Sequence, residues 1–340
     1  MSTASRRLRS GPALFVAAVV LVVTLPLWLM VAGLFDLVRG KTRFPMIRLL
    51  AFALCWSWLE SCGVSIAFGL WLAGRKNDTD AHFRLQRWWA ARLMAALRTT
   101  TGIRVAHADT APLSPGPVVM LCRHASLADS LLSAWVITSV AVMNPRYVLK
   151  RELLFDPCLD IVGNRLPNHF LDRDAPDSTV ELDALRALSA ALTVDQVAVI
   201  FPEGTRATPK KRARALERIH ERDPERAERL ADLQHLLPPR PAGSAALVEG
   251  CPQADVVIAW HVGFDGLDTF DGIRRHLERV PTPVEFHARR IPRRDVPSGA
   301  AFTRWLDDQW LSADAAVHEL LHPTATRTTA TRTKSSEGTT

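Results

Sequence analysis

The stretch VVMLC, residues 118–122, runs directly into RHASLAD, residues 123–129, and this junction decides the fold class. A short apolar run of this kind is typical of a buried strand in a parallel sheet. A tight turn after the strand can bring His124 and Asp129 together, so that the carboxylate fixes the imidazole tautomer and the other ring nitrogen can accept a proton from a hydroxyl group. The two residues are therefore candidate catalytic groups, although a histidine near an aspartate at a strand end is more often structural.

Further β-rich runs recur along the chain and alternate with helical patterns. This alternation predicts an α/β fold in which a mostly parallel sheet is flanked by helices. The other predicted strands begin at Ile103, Arg146, Gln196, Asp255 and Val284, and the predicted helices cover residues 127–142, 178–192, 209–234 and 300–321.

A second polar motif, FPEGTR at residues 201–206, follows the predicted strand that begins at Gln196. Gly204 lets the backbone approach a ligand, and Thr205 and Arg206 offer a hydroxyl group and a planar guanidinium suited to a phosphate. Open α/β sheets bind ligands beyond the carboxyl ends of their strands. The two motifs therefore predict a base and an anion site at one edge of the sheet.

A third block lies between these motifs in the sequence and comprises KREL at residues 150–153 and FLDR at residues 170–173. Arg173, at a predicted strand end, could add a second guanidinium to the same phosphate. Surface arginines are more often solvated, so this block is weaker evidence than the other two.

The first quarter of the chain predicts membrane helices. Residues 12–35 carry no charge and are long enough at 1.5 Å per residue to cross a hydrocarbon core of roughly 30 Å, with a kink expected at Pro26. Residues 46–73 are also apolar, but Glu60 at their centre is costly in a bilayer. We expect either a helical hairpin with Glu60 facing protein, which is slightly favoured, or a spanning helix plus a re-entrant one. Basic residues at the outer ends favour a cytoplasmic location for both.

Residues 76–101 place aromatic and leucine side chains at helical spacing among arginines. This pattern predicts an amphipathic interfacial helix on a membrane surface, or equally a helix packed on the core by its apolar stripe. The predicted organisation has five parts: a basic cytoplasmic end (1–11), membrane helices (12–75), the amphipathic helix (76–101), an α/β domain (102–321) and a disordered tail (322–340).

Composition limits the classes of partner and metal site that this chain is expected to have. Lys and Arg number 42 against 35 Asp and Glu, and the resulting charge of +7 favours anionic partners. The basic cluster at residues 210–214 is nearly balanced by acidic residues along the same predicted helix, so we expect no nucleic-acid partner. The five cysteines form no CxxC pair, which indicates neither a disulfide scaffold nor a cysteine zinc site.

The motifs, taken in this order and at this rough spacing, resemble the glycerolipid acyltransferase family, which includes the 1-acyl-sn-glycerol-3-phosphate acyltransferases. HLLPPRPAG at residues 235–243 and RRIP at 289–292 are similar to the branch that includes long-chain lysophospholipid acyltransferases. The resemblance spans about residues 44–321, and the joint occurrence of several blocks is far more specific than any single block.

The resemblance implies an enzyme that moves a fatty acyl group from acyl-CoA or acyl carrier protein to a lysophospholipid, with lysophosphatidic acid as the expected acceptor and phosphatidic acid as the product. Lysophosphatidylglycerol and lysophosphatidylinositol stay open as acceptors. The family needs no cofactor and no metal, and it implies an enzyme of the inner membrane with its catalytic domain on the cytoplasmic face, among membrane phospholipids. The catalytic residues would be His124 and Asp129, the phosphate ligands Arg173, Glu203, Gly204, Thr205 and Arg206, and the secondary residues Arg123 and Lys150.

Three positions depart from the family pattern. Arg123 stands where the family commonly has asparagine, and no proline follows the strand of the fourth block, DVVIAWHV at residues 255–262. The residues before Phe170 lack the glycine that is common there. None of these departures removes the candidate base or the Glu-Gly-Thr-Arg sequence.

Two alternatives belong to other classes of function. His318, Glu319 and His322 match the HExxH pattern of zinc metallohydrolases. Pro323 follows directly, and the only later acidic residue, Glu337, falls in the predicted disordered tail, so a coincidental match is the preferred interpretation. A non-enzymatic lipid-binding module is the other alternative.

Overall fold

The computed structural model describes residues 3–172 and 178–323 of the 340-residue chain. Within these residues, seven strands form one sheet in the order β1-β7-β6-β2-β5-β3-β4, and all neighbouring strands are parallel except β6 and β7. The strands are β1 (Val105–Ala108), β2 (Val118–Cys122), β3 (Asn144–Lys150), β4 (His169–Leu171), β5 (Gln196–Ile200), β6 (Asp255–Val262) and β7 (Val284–Ile291). The predicted α/β fold with a mostly parallel sheet is confirmed.

Helices cover both faces of this sheet. In the described residues they are α1 (Thr3–Val23), α2 (Leu25–Val38), α3 (Pro45–Leu72), α4 (Thr79–Thr101), α5 (Asp129–Trp135), α6 (Pro157–Ile161), α7 (Ser178–Ala190), α8 (Pro209–His220), α9 (Pro224–Arg229), α10 (Pro241–Gly250), α11 (Phe270–Leu277) and α12 (Ala300–Leu321). The single helix predicted over residues 209–234 was wrong, because Asp223 caps a new helix that starts at Pro224. Strand β4 was not among the strands with a predicted start, since three residues show no periodicity, although Arg173 had been placed at a strand end.

Strand β2 lies at the centre of the sheet and of the core. Its side chains alternate between two apolar layers: Val119 and Leu121 pack with α7, α10 and α12, whereas Val118 and Met120 pack with α4 and α5. Burial on both faces explains why this stretch is apolar without interruption. The residues that follow β2 therefore start from a rigid position.

The first apolar segment is not one continuous helix, which corrects the expectation of a single spanning helix over residues 12–35. Helices α1 and α2 meet at Thr24 with a bend of 71° between them. Pro26 lies in the first turn of α2, where its missing N–H group cannot continue the hydrogen bonding of α1. By length and apolar composition, α3 could cross a membrane, and α1 and α2 pass the same test only as a bent pair.

Both ends of the bent pair contact the α/β domain. Near the start of α1, the Arg6 guanidinium donates two hydrogen bonds, of 3.0 and 2.9 Å, to the Asp160 carboxylate. Beyond the end of α2, Lys41 Nζ lies 2.7 Å from Glu278 Oε2. The α1–α2 segment thus leaves the domain and returns to it.

The next two helices pack on the same domain. The Glu60 side chain of α3 is fully buried and accepts a 2.8 Å hydrogen bond from the Trp89 indole of α4, so it faces protein. The apolar stripe of α4, which includes Phe83, Leu93 and Leu97, is also buried. The structure therefore agrees with the second interpretation of residues 76–101, in which the helix packs on the core by its apolar stripe. The apolar stripe is not exposed to a membrane. Residues 324–340 of the predicted disordered tail lie outside the described part of the chain.

Candidate active site

His124 and Asp129 are brought together just beyond the carboxyl end of β2. His124 Nδ1 lies 2.9 Å from Asp129 Oδ2, and the backbone N–H groups of Ala125 and Ser126 donate hydrogen bonds of 2.6 and 2.8 Å to the same oxygen. The Ser126 hydroxyl donates to the other carboxylate oxygen. Asp129 is buried and His124 is partly exposed. Because Nδ1 of His124 contacts the carboxylate, Nε2 is the ring nitrogen that the carboxylate does not engage.

A second histidine, which the sequence analysis missed, flanks the same carboxylate. His261, near the end of β6, is buried, and its Nε2 lies 3.1 Å from Asp129 Oδ1, outside hydrogen-bond alignment. Burial alone would raise the pKa of Asp129, but the electrostatic interaction with His261 and the hydrogen bond with His124 hold that pKa far below its ordinary value. The carboxylate is therefore ionised at neutral pH and keeps a proton on Nδ1 of His124.

The FPEGTR turn, residues 201–206, lies against the histidine. The rings of Phe201 and His124 are 4.9 Å apart, and the backbone N–H of Ala207 donates a 2.8 Å hydrogen bond to the carbonyl oxygen of His124. Gly204 has a φ of 69°, a left-handed conformation that favours glycine. The two motifs, 79 positions apart at His124 and Glu203, thus form a single site.

Glu203 points inward, contrary to the expectation that it binds a phosphate. Its side chain is 2% exposed, and its two carboxyl oxygens accept the backbone N–H groups of His124 at 2.7 Å and Leu237 at 2.9 Å. Burial raises the pKa of Glu203 to about 8 despite these donors. Because both carboxyl oxygens are engaged by backbone N–H groups, Glu203 positions the backbone of the candidate base instead.

The outer side of the turn carries cationic groups. The half-buried Arg206 donates one guanidinium hydrogen bond, of 3.1 Å, to the carbonyl oxygen of Asp268. Lys211 Nζ donates to the Thr205 hydroxyl at 3.3 Å and to the Arg206 carbonyl oxygen at 3.2 Å. The sequence analysis had counted Lys211 only as part of the charge-balanced basic cluster at residues 210–214. The position of Lys211, six residues after Thr205 and in the first turn of a helix that begins at Pro209, could have indicated that its side chain reaches back to the turn.

Arg123 has a structural position. Its guanidinium is buried and donates to Asp265 Oδ1 at 2.6 Å and to the carbonyl oxygen of His261. Arg123, which stands where the family commonly has asparagine, therefore fastens the loop after β6 to the end of β2.

The third block is less completely described. Lys150 ends β3, two strands from β2 in the sheet. Asp172 forms an ion pair with Arg151, and Arg173 lies outside the described residues. Lys150 therefore lies at the same carboxyl-terminal edge of the sheet as His124, and the expected roles of Lys150 and Arg173 stay predictions.

An apolar cavity of about 380 Å³ adjoins the histidine motif. Leu127 and Ala128, between His124 and Asp129 in sequence, form part of its wall. The volume falls within the roughly 300–1,000 Å³ typical of ligand pockets. Helices α3, α4 and α5 and strand β3 supply other lining residues, which include Phe52, Trp89, Leu93, Leu131 and Leu149.

Comparison with known proteins agrees with this geometry. Residues 102–244, which contain both motifs, match the family model described as Acyltransferase. The crystal structure of the 1-acyl-sn-glycerophosphate (LPA) acyltransferase PlsC from Thermotoga maritima has a similar fold, with a TM-score of 0.51 and 14% sequence identity over 83% of this chain and 99% of that chain. No curated protein matches the chain.

The family match supports an acyltransferase, and the structural likeness supports the fold. Both findings support the glycerolipid acyltransferase family that the motif resemblance predicted.

Replacing Glu203 with glutamine tests its inward role. The Glu203→Gln variant keeps one acceptor oxygen but places an NH2 group against the other backbone donor, which leaves one buried N–H group unpaired. We expect kcat to fall about 10- to 100-fold, with the acceptor KM changed by less than about threefold. Steady-state kinetics of purified protein measure this, with the exposed Glu217→Gln as the matched control. A raised acceptor KM with unchanged kcat would instead indicate phosphate binding.

Proposed function

We propose that this protein transfers a fatty acyl group from a thioester donor, acyl-CoA or acyl carrier protein, to the free hydroxyl of a lysophospholipid. The observation that carries the proposal is the ionised Asp129 carboxylate holding His124, with the cations of the FPEGTR turn on one side and the apolar cavity on the other. A base, an anion site and a lipid-sized apolar space are the three requirements of this reaction.

The chemistry follows from the hydrogen bonding of His124. Nδ1 is engaged by Asp129, so Nε2 accepts the proton of the acceptor hydroxyl while the oxygen attacks the thioester carbonyl carbon. The C–S bond of the tetrahedral intermediate then breaks, and the imidazolium returns its proton to the departing thiolate. The thioester is already activated, so positioning and a single base suffice, and no cofactor or metal is required for this step.

Lysophosphatidic acid is the acceptor that we favour, with phosphatidic acid as the product. Lys211 Nζ lies at the Thr205 hydroxyl, and Arg206, the next residue, supplies a second cation at the same turn, which suits a terminal phosphate. The activity named for the Thermotoga maritima structure supports the same choice. Lysophosphatidylglycerol and lysophosphatidylinositol also carry a phosphate and are the alternative acceptors.

We further propose that the protein belongs to the inner membrane, with its catalytic domain on the cytoplasmic face. Large apolar side chains are exposed along α1, α2 and α3. Because both ends of α1–α2 contact the α/β domain, this segment would enter the leaflet and return, not cross it. The surrounding membrane phospholipids would be direct partners of these exposed surfaces.

The alternatives of other classes are less well supported. A metallohydrolase would use Glu319 as its base, but Glu319 is exposed and is not among the clustered metal-ligating groups of this region. A purely lipid-binding module does not explain the buried Asp129 that holds His124, and the family match supports an enzyme.

The decisive experiment is an acyl-transfer assay of the detergent-purified protein against a panel of lysophospholipids, with acyl-CoA and acyl carrier protein as donors. His124→Ala removes the base, so we expect a loss of at least about 100-fold in kcat, at the low end of general-base contributions. His220→Ala, at an exposed position of α8, is the control. Substantial transfer by a folded His124→Ala protein would disprove the proposed role of His124.

Charge removal tests the phosphate site. Arg206→Ala and Lys211→Ala each remove one cation, so we expect the KM for lysophosphatidic acid to rise about tenfold while the donor KM changes little. Arg218→Ala and Lys210→Ala remove exposed cations from α8, the helix that carries Lys211, and serve as matched controls. Equal effects on donor and acceptor KM would contradict the assignment.

Filling the cavity tests acyl-chain binding. Ala134 is buried in the cavity wall, so Ala134→Phe should reduce the space available and lower kcat/KM for a long-chain donor by about tenfold or more relative to a short-chain donor. The matched control is Ala315→Phe at an exposed position of α12. If a folded Ala134→Phe protein keeps the wild-type preference for long-chain over short-chain donors, this cavity does not bind the acyl chain.

A further inference from the structure

Three histidines meet at a place that the acyl-transfer mechanism does not use. His318 and His322 lie four residues apart at the end of α12, and His235 comes from the loop between α9 and α10. One ring nitrogen from each residue lies within 4.8 Å of the other two. His235 Nε2 and His318 Nδ1 are 3.2 Å apart.

One of these distances already matches what a transition-metal ion requires. Zinc–nitrogen bonds of about 2.0–2.1 Å in tetrahedral geometry place the ligand nitrogens ~3.3 Å apart, close to the observed separation of the first pair. Neutral imidazole is a good ligand for zinc-class ions. His322 is exposed, so a rotation of its ring can close the remaining distance without repacking the core.

A buried aspartate fixes the position of the loop that carries His235 relative to the helix that carries His318. Asp314, on α12, accepts hydrogen bonds of 2.9, 2.8 and 2.7 Å from the backbone N–H groups of Gln234, His235 and Leu236. Asp314 lies one helical turn before His318, so the loop is fixed to the same stretch of α12 that carries two of the ligands. A second tie, from Arg226 to Asp307 at 2.8 Å, anchors α9 to α12.

The ligand set differs from the HExxH interpretation of the sequence. That motif uses its glutamate as a base and needs a third ligand downstream, whereas here the third group is His235, which precedes the motif by 83 residues. Glu319 is exposed and lies outside the cluster. The arrangement therefore lacks the glutamate base that an HExxH hydrolase requires.

We propose that His235, His318 and His322 bind one zinc-class transition-metal ion, which fastens the end of α12 to the loop at residues 234–237. This site lies outside the proposed acyl-transfer centre and supplies none of its reacting groups. It is connected to that centre through Leu237, whose backbone N–H donates to Glu203, the residue that positions His124. Metal binding would stiffen this connection.

The test uses the full-length protein in detergent, purified without a polyhistidine tag and stripped with EDTA. We expect titration with Zn²⁺ to show one ion per chain, a visible absorption spectrum of tetrahedral type with Co²⁺, and a higher Tm with Zn²⁺ than without it. The His318→Ala/His322→Ala double variant should bind at least about tenfold more weakly and lose the Tm increase.

Two controls make the outcome specific. Glu319→Ala should bind Zn²⁺ as the wild type does, because its side chain is not a ligand, and His220→Ala should do the same because it lies on α8. The proposal is overturned if the stripped wild-type protein binds less than about one third of an equivalent at saturation. It is also overturned if the double variant, shown to be folded by circular dichroism, binds with unchanged affinity.

Discussion

The site depends on the satisfaction of one buried charge, the carboxylate of Asp129. An isolated ionised carboxylate in the interior is strongly unfavourable, so it persists only where donors surround it. Here two backbone N–H groups, the Ser126 hydroxyl and the His124 imidazole supply hydrogen bonds, and His261 lies close by. The turn that satisfies Asp129 also fixes the orientation of His124. Stability and the geometry of the base therefore come from the same contacts.

A division of charge follows from this arrangement. The two buried acidic side chains, Asp129 and Glu203, accept hydrogen bonds from inside the protein, whereas Arg206 and Lys211 lie on the outer side of the turn. This division suits the proposed phosphate site, because the two cations lie at the turn while the acidic groups are already engaged with backbone donors. Glu203 also joins the end of β2 to the loop at Leu237, so three distant segments hold the candidate base in place.

The sequence predicted the parts of the site that depend on local order and sheet direction. Parallel strands end at one edge, so the pairing of β2 with β5 brings His124 to the FPEGTR turn. What it could not predict depends on long-range packing. His261 reaches Asp129 because β6 is the other neighbour of β2, and Glu203 turns inward because Leu237 offers an N–H group. Apolar periodicity likewise cannot distinguish a helix face covered by protein, as in α4, from one covered by lipid.

The amino-terminal helices do more than supply an exposed apolar surface. Phe52 and Trp56 of α3 and Leu85 and Trp89 of α4 line the apolar cavity beside the histidine motif. Phe68 and Leu72 of α3 are exposed and are not among the residues that line the cavity, so one helix contributes both to the cavity and to the surface proposed to enter the leaflet. An acyl chain that moves between leaflet and cavity would then stay in contact with apolar side chains. This avoids exposing its methylene groups to water, which costs about 0.8 kcal/mol for each.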